Sequence, residues 1–389
     1  MRILHTSDWH IGRSMGEFSL LDQQAEFFDW LIGAVATERI DLVVVAGDIF
    51  DRTNPSVEAT ELWSSTLRRI TAIGVCVAAI SGNHDEAIRI DAFSEITDKS
   101  GVFMRGGFRS AGQVTRVDLT AGSIDLVLLP YMAPTRVSTS LTESIEASEI
   151  GNRVTHQSVL KHFADIARLS LSGARPSLAV AHAFVRGGLP SESERELSIG
   201  GVDLVDAAIF DGFDYVALGH LHRPQIVGGR ELLRYSGSPL PYSFSETHAK
   251  SVAVVEFENG VTSVEAIEIH PGRRVTTIEA PFEAVMTSPE YSGVVDSWTR
   301  VVLTDAIPML DSHRRIRERF PFLVELSRSP VAQSESSTSR LTSERARGTQ
   351  AVDVLEMFWA DVTQTPYDDT VRNLVATSLW QLHEDGDDQ

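Results

Sequence analysis

The chain has 389 residues, 42% hydrophobic and 23% charged, enough apolar material for one large core and a smaller one, so two or three domains are expected. The formal charge of −20 excludes a protein that coats nucleic acid by bulk electrostatics, which needs a basic field, but leaves room for a local basic groove. The single cysteine, Cys76, excludes an intrachain disulfide, and no apolar run is long enough to span a bilayer. Because the chain opens directly on an apolar strand without a signal-peptide pattern, a cytoplasmic location is expected.

Arg2-Ile3-Leu4-His5-Thr6 reads as the first strand. It hands over to Ser7-Asp8-Trp9-His10, where an acid and an imidazole two residues apart project the same way in extended chain. As a metal pair this is weak alone, since Asp-x-His is common by chance. A helix with Leu21, Ala25, Phe28, Leu31, Ile32 and Val35 at helical spacing follows. The next stretch, Leu42-Val43-Val44-Val45-Ala46, is apolar throughout, as a buried parallel strand is. Gly47 then brings Asp48 out at its carboxyl end, the edge where open α/β sheets keep their chemistry. Two oxygens let one carboxylate bridge two metal ions about 3.5–4 Å apart. Taken alone, Asp48 reads better as a helix cap or turn residue, and only its companions change that judgement.

After Asn54-Pro55 a second helix carries Leu62, Leu67 and Ile70. It leads into the strand Val75-Cys76-Val77-Ala78-Ala79-Ile80, where Cys76 serves as a small buried hydrophobe. This strand closes on Ser81-Gly82-Asn83-His84-Asp85, so three consecutive strands place polar groups at one sheet edge. Glycines 101, 106, 107, 112 and 122 then mark shorter, partly antiparallel strands, including Leu126 to Leu129. A helix near 156–171 precedes Leu178-Ala179-Val180-Ala181, which ends in His182. A lone histidine there is more often a satisfied core residue, but its place in the series raises its standing. Tyr215-Val216-Ala217-Leu218 next meets Gly219-His220-Leu221-His222, a second pair spaced two apart, and imidazole is a common ligand of transition metals. Strands around 231–236, 251–257 and 262–269 are expected to form an antiparallel covering sheet.

From Pro271-Gly272 onward the pattern changes to a small α+β domain over 272–328, with strands at Val275 to Ile278, Arg300 to Leu303 and Phe322 to Leu326. Its helix, Met309 to Phe320, is arginine-rich, with Arg314, Arg315, Arg317 and Arg319, a composition that a solvated face accounts for. Residues 329–350 have linker composition, and 351–389 recover two amphipathic stripes, one with Phe358 and Trp359 and one with Leu374 and Leu379.

Asp8, His10, Asp48, Asn83, His182, His220 and His222 are all oxygen or nitrogen donors at predicted strand ends. Mixed carboxylate, amide and imidazole donors suit Mn²⁺ or Fe²⁺, then Zn²⁺, and suit an oxygen-seeking Mg²⁺ less. Two divalent ions so held would lower the pKa of a water and neutralise the charge that builds on phosphorus under in-line attack, so phosphoester hydrolysis is the matching reaction. His84, beside Asn83, is free to protonate the leaving oxygen, general-acid work that suits an imidazole.

The ordered motifs Asp8-x-His10, Gly47-Asp48, Gly82-Asn83-His84-Asp85, His182 and Gly219-His220-x-His222 resemble those of the calcineurin-like metallophosphoesterases. Gly219-His220-Leu221-His222-Arg223-Pro224-Gln225, followed by Tyr235-Ser236-Gly237-Ser238-Pro239, narrows the likeness to the SbcD family of bacterial nucleases. The resemblance implies an α/β metallophosphoesterase β-sandwich flanked by helices over 1–271, a small α+β capping domain over 272–328 whose arginine helix would guide DNA or equally be a solvated face, a linker at 329–350 and a helical ATPase-binding tail at 351–389. It implies that Asp8, His10, Asp48 and His222 hold one Mn²⁺, that Asp48, Asn83, His182 and His220 hold the other, and that His84 is catalytic. Asp51 stands where archaeal and eukaryotic relatives carry a second histidine, while bacterial members share the aspartate. The implied activity is a Mn²⁺-dependent 3′→5′ exonuclease on double-stranded DNA, with endonuclease action on single strands and hairpins. Its implied partners are DNA and an SbcC-like SMC-type ATPase, in a heterotetramer with two copies of each subunit, with a homodimer of this chain as a separate expectation. A phosphoesterase acting on a non-DNA substrate would use the same core without needing the appended domain or tail. A scaffold that has lost its metals does not fit so complete a donor set.

Overall fold

An apolar strand with no polar alternation needs cover on both faces, and the computed structural model provides it. Residues 1–137, 154–194, 204–270, 272–305 and 309–329 are described. Strands β1 (Arg2–Thr6), β2 (Leu42–Val45), β3 (Cys76–Ile80) and β4 (Val102–Arg105) run parallel, side by side, in that order. Helices α1 (Leu21–Thr37) and α2 (Val57–Ala72) make the first two crossovers. A second sheet starts from the antiparallel hairpin β5 (Val114–Leu119) and β6 (Gly122–Leu129). Strands β7 (Ser177–His182) and β8 (Tyr215–Gly219) add to β6 in parallel, with helix α3 (His156–Ser170) leading into β7. The sheet closes with β9 (Gln225–Val227) antiparallel to β10 (Arg230–Tyr235), which itself lies parallel beside β8.

The period-two alternation of each strand divides its side chains between layers. Ile3, Leu42, Val44, Ala78 and Ile80 of the first sheet meet Leu126, Leu128, Leu178, Val180 and Ala217 of the second in a buried seam. On its other face the first sheet sets Leu4, Val43, Val45, Val77 and Ala79 against Phe28, Leu31 and Val35 of α1 and Trp63 and Ile70 of α2. The outer face of the second sheet, Val127, Leu129, Ala179, Ala181, Val216 and Leu218, packs on Val159, Leu160 and Phe163 of α3. The result is a β-sandwich flanked by helices. In α2 the buried face is Ala59, Trp63, Thr66 and Ile70, and Leu62 and Leu67 only flank it, because the Trp63 ring fills the space beside Trp9 and Phe50.

The expected antiparallel covering sheet does not form. β10 belongs to the second sheet, whereas the hairpin β11 (Lys250–Glu258) and β12 (Val261–Ile269) extends the first sheet, β11 pairing antiparallel with β1. The reason lies in β1, which would otherwise expose an unpaired edge in the middle of the core. β11 fits that position because it is apolar on both faces, Val252 and Val254 toward the helices and Val255 and Phe257 toward the second sheet.

Beyond the sandwich, β13 (Val275–Ala280), β14 (Trp298–Leu303) and β15 (Leu323–Arg328) form a parallel three-stranded sheet covered by α4 (Phe282–Thr287) and α5 (Ser312–Arg319). The sequence pattern does not announce α4, since 6 residues hold fewer than two helical turns. Ile278, Phe282, Val285, Val301, Ile316 and Phe320 make the small core. The arginines of α5 are engaged locally. Arg319 donates to the carbonyls of Val285 and Ser288, Arg315 lies over the Phe282 ring, Arg317 pairs with Glu17, and Arg314 pairs with Glu318. The expected linker beyond Ser329 and the helical tail at 351–389 lie outside the described residues. Among the described residues no helix is long and apolar enough to cross a membrane.

Trp298 fastens this small sheet to the sandwich, its ring against Phe18 and Phe322 within a cluster that also holds Met15, Leu240, Tyr242 and Phe244. Trp298→Ala is therefore expected to cost about 3–5 kcal/mol of stability, read as a lower urea midpoint. An unchanged midpoint would show that the two lobes are not held by this contact.

Candidate metal centre

Five parallel strands, β1, β2 and β3 of one sheet and β7 and β8 of the other, deliver their carboxyl ends to one edge of the sandwich. The loops that leave them are bound to each other before any side chain is considered. Asp8 N–H donates to the Gly47 carbonyl at 3.0 Å, His10 N–H to Asp48 at 3.0 Å and Ile11 N–H to Ile49 at 2.9 Å. Asp8, His10, Asp48 and His220 all have positive φ (54°, 43°, 49° and 109°), a backbone state that costs non-glycine residues about 1–3 kcal/mol each and clusters at functional sites. Gly82 must be glycine for a steric reason: a Cβ there would land on the Asp48 carboxylate and backbone nitrogen.

The structure brings all the sequence-predicted donors to this edge. The candidate ligand atoms of Asp8, His10 and His222 lie within 4.8 Å of one another, as do those of His10, Asp48 and His84 and those of Asp8, Asp48 and His182. Asp48 stands between two histidines, its Oδ2 3.5 Å from His10 Nε2 and 3.6 Å from His182 Nε2. The Nε2 atoms of His10 and His222 face each other at 3.1 Å. On the other side Asn83 Oδ1 meets His182 Nε2 at 2.9 Å and His220 Nδ1 at 3.2 Å. His84 is bound at both ends: its N–H donates to Asp48 Oδ1 at 2.9 Å and its Nδ1 to the Asp51 carbonyl at 2.9 Å.

The electrostatics call for a cation. Burial, and then the negative charge of Asp48, push the Asp8 carboxyl well above the ordinary range, although Ser7 Oγ–H (2.5 Å) and His220 N–H (2.9 Å) donate to it. Burial also holds His10, His182 and His220 below the usual imidazole range, hence neutral, the form in which imidazole binds metal. His182 Nδ1 donates to the Ala46 carbonyl at 2.9 Å, which fixes the tautomer that points a lone pair at Asp48 and Asn83. Buried His10 Nδ1 and Asn83 Nδ2 have no hydrogen-bond partner among the described residues. Two buried carboxylates ringed by neutral imidazoles fit divalent metal ions, and no thiolate lies among them.

Several supporting residues escaped the sequence reading. Asp85 accepts N–H bonds from Ile49 (3.0 Å), Phe50 (2.9 Å) and Gly82 (2.9 Å), so it ties the Asp48 loop to the Asn83 loop. Burial and the charge of Asp48 push its carboxyl up to about 7 against those three donors. Gln24 Nε2 donates to the carbonyls of Trp9 (3.0 Å) and His10 (2.8 Å), and Tyr242 Oη–H donates to Trp9 (2.6 Å), together fixing the Asp8–His10 loop. Of these, only Asp85 had a local signal, its place in Gly82-Asn83-His84-Asp85.

Fold and donor set together define a metal-dependent phosphoesterase. Residues 1–224 match the model of the calcineurin-like phosphoesterase family, more than half of the chain. The SbcD component of the SbcCD nuclease from Staphylococcus saprophyticus subsp. saprophyticus is 33% identical over 285 residues, 73% of this chain and 73% of that protein. The chain belongs to the calcineurin-like phosphoesterases and, within them, to the SbcD family. It is a hydrolase acting on phosphodiester bonds. Among solved structures, a dimetal phosphatase from Danio rerio is 16% identical with a TM-score of 0.41, covering 68% of this chain and 95% of that one. The Thermus thermophilus protein TT1561 is 12% identical with a TM-score of 0.38, covering 68% and 98%. At those scores the two overlaps carry no argument.

Asp85→Ala leaves three buried N–H groups without an acceptor, each worth about 1–3 kcal/mol. Amide exchange at Ile49, Phe50 and Gly82 is expected to accelerate together while the sheet amides stay protected. Unchanged exchange at these three amides would remove Asp85 as the tie between the loops.

Proposed function

We propose that this chain is a Mn²⁺-dependent DNA nuclease, a 3′→5′ exonuclease on duplex ends and an endonuclease on single-stranded or hairpin DNA. In this reading it works in DNA repair, recombination and replication in the cytoplasm, at the nucleoid, with an SbcC-like SMC-type ATPase. The observation that carries it is the position of Asp48, one carboxylate between His10 on one side and His182 on the other, the geometry of a bridge. Asp8, His10, Asp48 and His222 would hold one ion, and Asp48, Asn83, His182 and His220 the other. Divalent ions at such a site polarise the phosphoryl group and supply a water of low pKa. The nuclease reading is supported by the name of the 33% identical relative, part of a nuclease, and by its 73% coverage on both sides. In this account residues 1–271 form the nuclease domain, 272–328 a capping domain that guides DNA, 329–350 a linker and 351–389 the segment that grips the ATPase.

The chain's own residues then divide the work. Asp8 and Asp48 concentrate negative charge where cations must sit. His84, anchored through Nδ1 on the Asp51 carbonyl, has a ring nitrogen within 4.8 Å of the ligand atoms of Asp48 and His10, where the imidazole can hand a proton to the leaving 3′ or 5′ oxygen.

The purified chain, supplied with Mn²⁺, is expected to release nucleotides from duplex DNA ends and to leave cyclic nucleotides and phosphopeptides intact. The reverse preference would place it among the phosphoesterases of other substrates. His84→Gln is expected to lower the cleavage rate about 10²–10⁴-fold with bound Mn²⁺ and DNA affinity unchanged. Loss of metal along with activity would make His84 a ligand or a support instead.

A further inference from the structure

In the half of the cluster built on Asp8, His10 and His222, both imidazoles have carboxylates behind them: His10 Nδ1 lies 3.6 Å from Asp51 Oδ1, outside hydrogen-bond reach, whereas His222 is hydrogen-bonded into a charged relay. His222 Nδ1 lies 2.6 Å from Ser193 Oγ, and Ser193 Oγ donates to Glu246 Oε1 at 2.6 Å. Glu246 is in turn paired with the buried ammonium of Lys250, which also donates to Ser238 Oγ (2.9 Å) and to the carbonyl of His222 itself (3.2 Å). Lys250 is one of three lysines in the chain and is 6% exposed, so its burial here is a built feature. Glu246 accepts from the Lys250 ammonium through Oε2 and from the Tyr242 N–H through Oε1 at 3.0 Å, so toward Ser193 it stands as an acceptor. The single hydroxyl proton of Ser193 is therefore committed to Glu246, and Ser193 must accept from His222 Nδ1–H. That fixes the tautomer of His222 and aims the Nε2 lone pair at the site, where it faces His10 Nε2 at 3.1 Å. The same short stretch clamps the His222 backbone, because Glu194 Oε1 accepts His222 N–H at 2.7 Å while Glu194 Oε2 accepts from the N–H and hydroxyl of Ser191. Arg13 ties the stretch to the Asp48 loop, reaching the Ser193 carbonyl and, at 3.2 Å, Asp51.

The other half of the cluster is supported differently. His182 Nδ1 rests on the backbone carbonyl of Ala46, and His220 reaches Asn83, with no carboxylate behind either ring among the described residues. We infer that Ser193, Glu246 and Lys250 are positioning residues that tune one metal subsite selectively, the one built on Asp8, His10 and His222, and so make the two ions bind unequally. This rests on the ligand reading given under Proposed function.

The test is calorimetric titration of the metal-stripped full chain with Mn²⁺. In wild type two equivalents are expected. Ser193→Ala should weaken one of them about 10–100-fold, the usual effect of losing a partner that orients a ligand, and leave the other unchanged. Ser193→Thr, which keeps the hydroxyl, should restore it, and the melting temperature of the metal-free chain should be the same for all three. Glu246→Gln combined with Lys250→Met, which removes both charges together, should give the same one-sided loss. If neither Ser193→Ala nor the double variant changes either equivalent, or if both equivalents weaken together with a lower melting temperature, the relay does not tune a subsite. If wild type binds no second equivalent, the ligand reading itself fails, an outcome distinct from the others.

Discussion

Two carboxylates that the fold buries side by side set the terms for everything around them. Asp8 and Asp48 are at most 2% exposed, and their loops are hydrogen-bonded to each other, so neither can swing out to water to relieve the repulsion. Removing a lone carboxylate from water costs several kcal/mol even after the protein relaxes. The surroundings answer that cost with neutral imidazoles, main-chain N–H donors and room for cations. The positive-φ backbone at Asp8, His10, Asp48 and His220 belongs to the same balance, for it turns each side chain back toward the cluster where an ordinary strand-to-helix turn would carry it away.

The sandwich makes this possible because it contributes strand ends from two sheets. β1, β2 and β3 supply the acidic half and the His10 side, while β7 and β8 bring His182, His220 and His222 across the seam. The apolar seam residues Val44, Ala46, Val180 and Ala217 are small or β-branched, which lets the two sheets approach until His182 Nδ1 reaches the Ala46 carbonyl at 2.9 Å. Packing of the core and assembly of the site are thus one event: a change in sheet spacing would alter the distance between Asp48 and His182 directly.

Much of this was legible in the sequence because the relevant signals are local. An apolar run closed by Gly-Asp, a Gly-Asn-His-Asp turn and two His-containing pairs each announce a strand end with donors on it, and the structure brings those donors to one edge. The assignment of strands to sheets was less legible. β12 has the alternation of a covering strand and β11 is apolar on both faces, yet which sheet a strand joins depends on which edge is open, and neither pattern encodes that. The support residues were hidden for a related reason. Ser193, Glu246 and Lys250 lie 29, 24 and 28 positions from His222, so no spacing rule links them; the one hint was a lysine opening an apolar strand at Lys250-Ser251-Val252-Ala253.

The central claim is that Asp48 is shared by two ions. Anomalous diffraction from crystals grown with Mn²⁺, collected at the manganese edge, tests it most directly. The account predicts two peaks about 3.5–4 Å apart with the Asp48 carboxylate between them, one peak flanked by His10 and His222 and the other by His182 and His220. A single peak, or two peaks of which only one contacts Asp48, would contradict it.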